Sequence, residues 1–258
     1  MYDFRFGSKW ISEYGAVSTS TPGKEIAQRD GKLIAIPGKN GDDYVDNGRY
    51  KNVEISRGVS FLKRGAVAVP DKVDAFINDL AYLQGYYNFE DSDHPNMKTE
   101  AVLTNFGEIN RELRNLHQTT LQFSRKPFWL LKSGLSPQLF DLTETTPTLE
   151  LENPYIIGSK PILAFSFRGG SALVDYTIVT DEGENSYRLP FIQPVISTNF
   201  TVLINCENET ARLSTTTSKT NVEIDIPSGF EPGFNEIRID SGKEYLYAAY
   251  VIPRWRCL

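Results

Sequence analysis

The sequence predicts a mainly β protein with one or two short helices: an N-terminal β domain bearing a hairpin arm, then a C-terminal β-sandwich. Three observations carry that prediction. Tyr (13) and Phe (15) far outnumber Met (2), and aromatic and β-branched side chains suit half-buried pleated surfaces. Tyr2, Phe4 and Phe6 alternate with Asp3 and Arg5, the period of a strand with one wet face. Beyond Leu149, short apolar runs recur about every ten residues with turn residues between them, the pattern of an antiparallel sandwich.

The elements follow in order. Tyr2–Phe6 opens a strand. Lys32 to Ile36 reads as a second, stopped by Pro37-Gly38, and Lys39-Asn40-Gly41-Asp42-Asp43 is a turn cluster. Tyr44 and Val45 then lead into Asp46-Asn47-Gly48, followed by Arg49 and Tyr50. Asn-Gly between β formers is a strong hairpin signal, because both central residues of a type I′ turn need positive φ. Val53 and Ile55 continue the strand pattern, so residues 40–60 are expected to form an extended hairpin arm. The residues assigned to it are Tyr44, Val45, Asp46, Asn47, Gly48, Arg49, Tyr50, Val53 and Ile55. After Pro70, Val73, Phe76, Ile77, Leu80 and Leu83 recur at helical spacing, with Asp71 as the expected cap and Gly85 as the stop. Ile109, Leu113 and Leu116 suggest a second, shorter helix over 108–117. Leu121 and Phe123 alternate into a strand ending near Lys126-Pro127. A stretch with Pro137, Pro147, Pro154 and a Thr-rich run places the boundary near 145, giving domains 1–145 and 146–258. Strands are expected in the second at 161–167, 172–180, 186–190, 200–205, 211–215, 221–226, 235–239 and 245–252.

Composition narrows the function. The 258 residues carry 27 Lys plus Arg against 33 Asp plus Glu, a net charge of −6, whereas nucleic-acid binders usually show a basic surplus. The longest nearly apolar run, 245–252, is too short to span a bilayer, and the polar N-terminus has no signal-peptide character. Cys206 and Cys257 could form one disulfide, but free thiols in a reducing compartment are the simpler reading. Chemistry is scarce. The histidines, His94 and His117, lie outside any metal-binding spacing, no Cys pair has zinc spacing, and no phosphate loop or nucleophile elbow is present. Asp42-Asp43-x-x-Asp46-Asn47-Gly48 has Tyr44 where a calcium loop needs an oxygen ligand, so it reads as a hairpin tip. No catalytic residue, metal or cofactor is expected, and a chain of this kind serves by binding or assembling.

Several motifs stand in a telling order: Tyr2-Asp3-Phe4-Arg5-Phe6-Gly7; Ile36-Pro37-Gly38-Lys39-Asn40-Gly41; Asp46 to Ile55; Phe89-Glu90-Asp91-Ser92-Asp93-His94-Pro95; Phe123 to Pro127; Pro232-Gly233-Phe234-Asn235-Glu236-Ile237; and Ile252-Pro253-Arg254-Trp255-Arg256. With them the chain resembles, over nearly its whole length, the distal tail proteins of long-tailed phages that infect Gram-positive bacteria. The family pattern has Arg-Asp inside the Pro-Gly-x-x-Gly turn; Lys39-Asn40 keeps the basic residue and loses the acid. The resemblance implies a ring-forming N-terminal domain whose 40–60 hairpin embraces the next subunit, and a galectin-like C-terminal sandwich. It implies a homohexameric ring at the virion tail tip, made in the host cytoplasm. That ring would join the tail tube protein to the tail-associated host-attachment protein, with a receptor-binding protein as a further candidate partner. DNA would pass through without specific binding. A carbohydrate-binding accessory module is the alternative, although both histidines precede the boundary and Trp255 is the sole C-terminal Trp. A cell-wall hydrolase would need a paired acid or metal site that the sequence does not offer.

Overall fold

Phe4 and Phe6 are both buried, as the alternation requires, and they seed the first of two compact units into which the chain divides between Trp129 and Leu130. The computed structural model describes residues 2–19, 22–63, 67–113, 116–168, 172–192, 199–215 and 218–258. In the first unit, β1 (Phe4–Phe6), β2 (Lys9–Trp10) and β3 (Ala16–Ser18) precede an arm made of β4 (Arg29–Ala35) and β5 (Asp42–Tyr50). After it come β6 (Val53–Leu62), α1 (Val69–Ala81), β7 (Tyr87–Asp91), β8 (Met97–Phe106), β9 (Asn110–Leu113) and β10 (Leu116–Arg125). One antiparallel sheet runs β2-β1-β7-β8-β10-β6-β3, with β9 beside β10, whereas β4 and β5, among the described residues, pair only with each other. Aromatic rings fill the core: Phe6 and Phe123 lie 5.0 Å apart, and α1 inserts Phe76 between Tyr14 and Phe61 at 5.2 and 5.1 Å.

Three expectations are corrected here. Helix α1 starts at Val69, three residues early: Ala68 and not Asp71 is the extended N-cap, Pro70 lies in the first turn, and Asp71 sits in that turn without capping it. Proline suits this place, because the first-turn N–H groups have no intrahelical partner. The helix also ends at Ala81, before Gly85. The described residues of 108–117 form no helix; β9 and the start of β10 pair there antiparallel, Gln118 facing Asn110. Pairing to an existing sheet edge overrides a weak helical pattern. The third correction concerns the boundary, which lies about 15 residues before the expected position near 145. Residues 130–145 belong to the second unit, since Phe140 is buried in its core and Leu131 and Leu142 pack against that core.

The chain passes from the first unit to the second within β11 (Trp129–Leu131), and the second unit continues through β12 (Gln138–Leu139), β13 (Thr148–Asn153), β14 (Ile162–Phe167), β15 (Ala172–Thr180) and β16 (Gly183–Ile192). It closes with β17 (Phe200–Asn205), β18 (Thr210–Ser214), β19 (Lys219–Val222), β20 (Gly233–Ser241), β21 (Leu246–Ile252) and β22 (Arg256–Cys257). A six-stranded sheet, β12-β21-β14-β17-β18-β19, and a four-stranded one, β13-β20-β15-β16, share one core that includes Phe165, Tyr176, Phe200, Ile237 and Val251. Seven of the eight expected strands are present to within a few residues, while the one expected at 221–226 lies instead at Lys219–Val222, with no strand over 223–226. Strand β13 was hidden in the supposed junction: Thr148–Asn153 pairs along β20. Neither cysteine is in a disulfide, and burial pushes the Cys206 thiol up to about 12.

Candidate assembly arm

The arm is a two-stranded ribbon whose root is charged and whose middle is apolar. Its register pairs Ala35 with Asp42, Leu33 with Tyr44 and Lys32 with Val45. The reversal therefore falls at Pro37–Gly41, where Gly38 and Gly41 take φ +83° and +86°, and not at Asn47-Gly48. Those two residues lie inside β5, at a register shift: Arg29 faces Tyr50 and Gly31 faces Asp46, so Asp30 stands opposite the extra residues 47–49. Gly48, at φ +72°, gives its N–H to the Asp46 carboxylate at 2.8 Å. This is the role of a glycine in a bulge. Asn-Gly supplies positive φ equally well to a bulge and to a turn, which is why the motif misplaced the reversal.

Ion pairs hold the root. Arg29 Nη1 lies 2.6 Å from Asp46 and stacks over Tyr50, while Asp30 accepts from Arg49 at 2.7 Å and faces Lys51 at 3.6 Å. The Asp46 carboxyl is held below its ordinary range by the Gly48 N–H and by Arg29, and that of Asp30 by the hydrogen bond from Arg49. At the tip Lys39 pairs with Asp43. Between root and tip the ribbon exposes Leu33 (69%), Ile34, Ile36, Tyr44 (54%) and Val45. Gly31 lets the Tyr44 ring lie across the backbone, since a Cβ there would fall 2.3 Å from it.

Behind the root are two fully buried arginines. Arg57 (2% exposed) donates twice to the Glu25 carboxylate at 2.7 and 3.0 Å, and through Nε to the Tyr2 hydroxyl at 2.9 Å. Arg125 (1% exposed) reaches the Glu25 carbonyl at 3.3 Å and the Lys126 carbonyl at 2.9 Å, and lies over the Trp129 ring. Both guanidinium groups thus tie the segment entering the arm to the central strands β6 and β10. Desolvation opposes the charge on Arg57, but Glu25 outweighs it and raises its pKa; burial likewise raises that of Tyr2. The Lys51 N–H closes the ribbon on the Gln28 carbonyl at 2.8 Å.

Seven of the nine residues expected on the arm, Tyr44 to Tyr50, lie on β5. Val53 and Ile55 do not: both are buried in β6, facing Arg125 and Phe123 of β10. Sequence reasoning left Leu33, Ile34 and Ile36 outside the assigned arm, although the run 32–36 was read as a strand. It had no signal for Glu25, Arg57 or Arg125, which look like surface charges in the sequence. The histidines are apart in role. The Asp91 carboxylate caps the turn after β7, accepting from the His94 N–H at 2.8 Å and lying 2.9 Å from its Nδ1, and the His94 ring stacks on Trp129 at 4.8 Å, while the half-buried His117 sits in β10. Among the described residues no group of three His, Cys, Asp or Glu is placed to hold a metal.

No family model matches the chain, and no curated protein matches its sequence. Among solved structures it is similar to the SPP1 Dit (gp 19.1) protein, described as a paradigm of the hub adsorption apparatus in phages infecting Gram-positive bacteria. The two share 11% identity at a TM-score of 0.65, with 100% of each chain covered. The motif resemblance to phage distal tail proteins therefore has a structural counterpart: the chain has the fold of a phage hub protein from end to end.

Proposed function

We propose that the chain is the structural hub of a phage tail tip. Six copies assemble head to tail into a ring that joins the tail tube to the tail-associated host-attachment protein, with the second unit as its galectin-like domain. The observation that carries this reading is the whole-length likeness to a phage hub adsorption protein. The arm supports it physically. A ribbon with uncovered apolar residues and two free strand edges gains stability only from a neighbour, and a contact of that kind between unlike surfaces closes into a ring when the rotation permits. The locked root fits too, because an arm that is rigid before binding loses less entropy on docking. At −6 per chain, six copies carry −36. A negative channel wall would repel phosphates and let DNA pass without sticking.

Light scattering behind a sizing column tests the ring. Six chains of 29.1 kDa give about 175 kDa, and two stacked rings twice that. Either mass supports the hub. A mass that stays at 29.1 kDa up to high micromolar concentration overturns the ring.

A further inference from the structure

The first unit carries a second uncovered apolar surface, a cavity of about 330 Å³ between the end of α1 and the end of β8. Ile77, Leu80 and Leu83 line it from the helix side, and Leu103, Asn105 and Phe106 from the strand. Strand β7 begins at Tyr87, opposite Ala101, and so stops short of the β8 residues that form this wall. Ile77 is exposed, and the chain's own arm does not lie there, because Leu33 and Tyr44 stand free.

The geometry points to this groove as the seat for the arm of a second copy, with the Leu33, Ile34 and Val45 region of the ribbon packing on Ile77 and Phe106. The inference deepens the hub reading and rests on it. Size, polarity and charge select this occupant. The arm is the only other described part of this unit where several large apolar side chains lie uncovered along one element. Its Lys32, beside Leu33, has no ion pair among the described residues. Exposed Asp74 lies one helical turn before Ile77, on the same face, so the docked Lys32 gains a counter-ion. Thr104 bulges out of the β8–β10 ladder, between Leu103 facing Phe123 and Asn105 facing Gln122. A regular added strand is thereby disfavoured, which leaves side-chain packing to provide the specificity.

The test mixes two full-length chains, Leu33→Cys and Thr104→Cys, both at exposed positions, and oxidises them mildly. A disulfide-linked dimer that forms in the mixture, and in neither variant alone, supports the groove. Ile77→Glu supplies the second measurement: a charge in a central apolar contact is expected to lower the assembled fraction about tenfold or more, with unchanged far-UV circular dichroism. Asp74→Lys with Lys32→Glu is expected to restore what either change alone weakens. If the unsubstituted chain forms rings while no mixed dimer appears and Ile77→Glu still assembles, the groove is overturned and the hub reading stands. If the unsubstituted chain stays monomeric and no mixed dimer forms, both fall. A mixed dimer from a monomeric chain supports the groove and removes the closed ring.

Discussion

Two antiparallel ribbons in this molecule are built alike and end differently. Strands β15 and β16, nine and ten residues long, pair from Ala172–Ile192 to Thr180–Gly183. Strands β4 and β5, seven and nine residues long, pair from Arg29–Tyr50 to Ala35–Asp42. Each has a register shift near one end and a cross-strand ion pair near its root. But β15 has β20 on its other edge and buries Val174, Tyr176 and Ile178 completely or nearly so. Among the described residues the arm has no strand on either outer edge, and it turns Leu33, Ile34, Tyr44 and Val45 to solvent. Local pairing is the same; what differs is whether a second layer exists in the same chain. A ribbon left without one is half of an interface.

Truncating one apolar side chain in each ribbon gives the largest contrast. Ile178→Ala removes buried methyl groups from a close-packed core, and about 2–5 kcal/mol of stability should go with them. Leu33→Ala removes a side chain that touches mostly water, so chemical denaturation of the unassembled chain should shift by no more than about 0.5 kcal/mol. Its cost should appear in the assembly instead. Equal losses in the two ribbons would mean that the arm packs on its own chain in solution, and the comparison would collapse.

The next effect concerns how the arm is held. Glu25→Ala leaves the Arg57 guanidinium, 2% exposed, with the Tyr2 hydroxyl and the Ser56 carbonyl but no counter-ion. Removing one partner of a buried pair costs about 3 kcal/mol or more. Because the same residue's backbone carbonyl receives Arg125, loosening it should also open residues 22–28 to proteolysis and free the root of the ribbon. Denaturation and limited digestion read the two consequences separately. A variant as stable and as resistant as the parent would show that the arm root is not anchored through Glu25.

Legibility in the sequence follows the same division. The sandwich was readable because each strand repeats apolar residues with period two and stops at turn residues, and burial on one face is what that period records. Strand β13 was missed because Leu149 and Leu151 stand among prolines and threonines, and their partner β20 is over 80 residues away in the chain. In the arm, the pattern of Tyr44 and Val45 was visible, but Asn47-Gly48 took the turn from Pro37–Gly41 by a rule that does not distinguish a bulge from a reversal. Val53 and Ile55 were assigned to the arm because a strand pattern gives no sign of where a ribbon leaves its sheet. The buried arginines left no local trace at all. Arg57 meets Glu25 across 32 residues and Arg125 reaches it across 100, and a charge in the sequence is by default a solvated one.

The smallest effect sharpens the comparison most, because it tests the two ribbons through the same kind of bond. Asp46 pairs with Arg29 in the arm at 2.6 Å, and Asp175 pairs with Arg188 through two contacts at 2.6 and 3.2 Å in the sandwich. Both carboxyl groups are held below the ordinary value of 3.8, Asp46 first by the Gly48 N–H and then by Arg29, Asp175 first by Arg188. A carboxylate with a lowered folded-state pKa contributes stability that is present above 3.8 and is lost as the pH falls through its folded value. Acidification below about pH 4 should therefore cancel both pairs. Only the arm should loosen, since β15 and β16 keep Val174, Tyr176 and Ile178 buried without any charge. Hydrogen exchange, corrected for its intrinsic pH dependence, should show amides of residues 32–45 losing protection between pH 5 and pH 3 while residues 174–189 keep theirs. Asp46→Asn should bring the arm's loss to pH 5 and leave the sandwich alone, because the amide can still accept from Gly48 but no longer pairs with Arg29. Simultaneous loss in both ribbons would mean that electrostatics, and not the second layer, holds the sandwich hairpin in place.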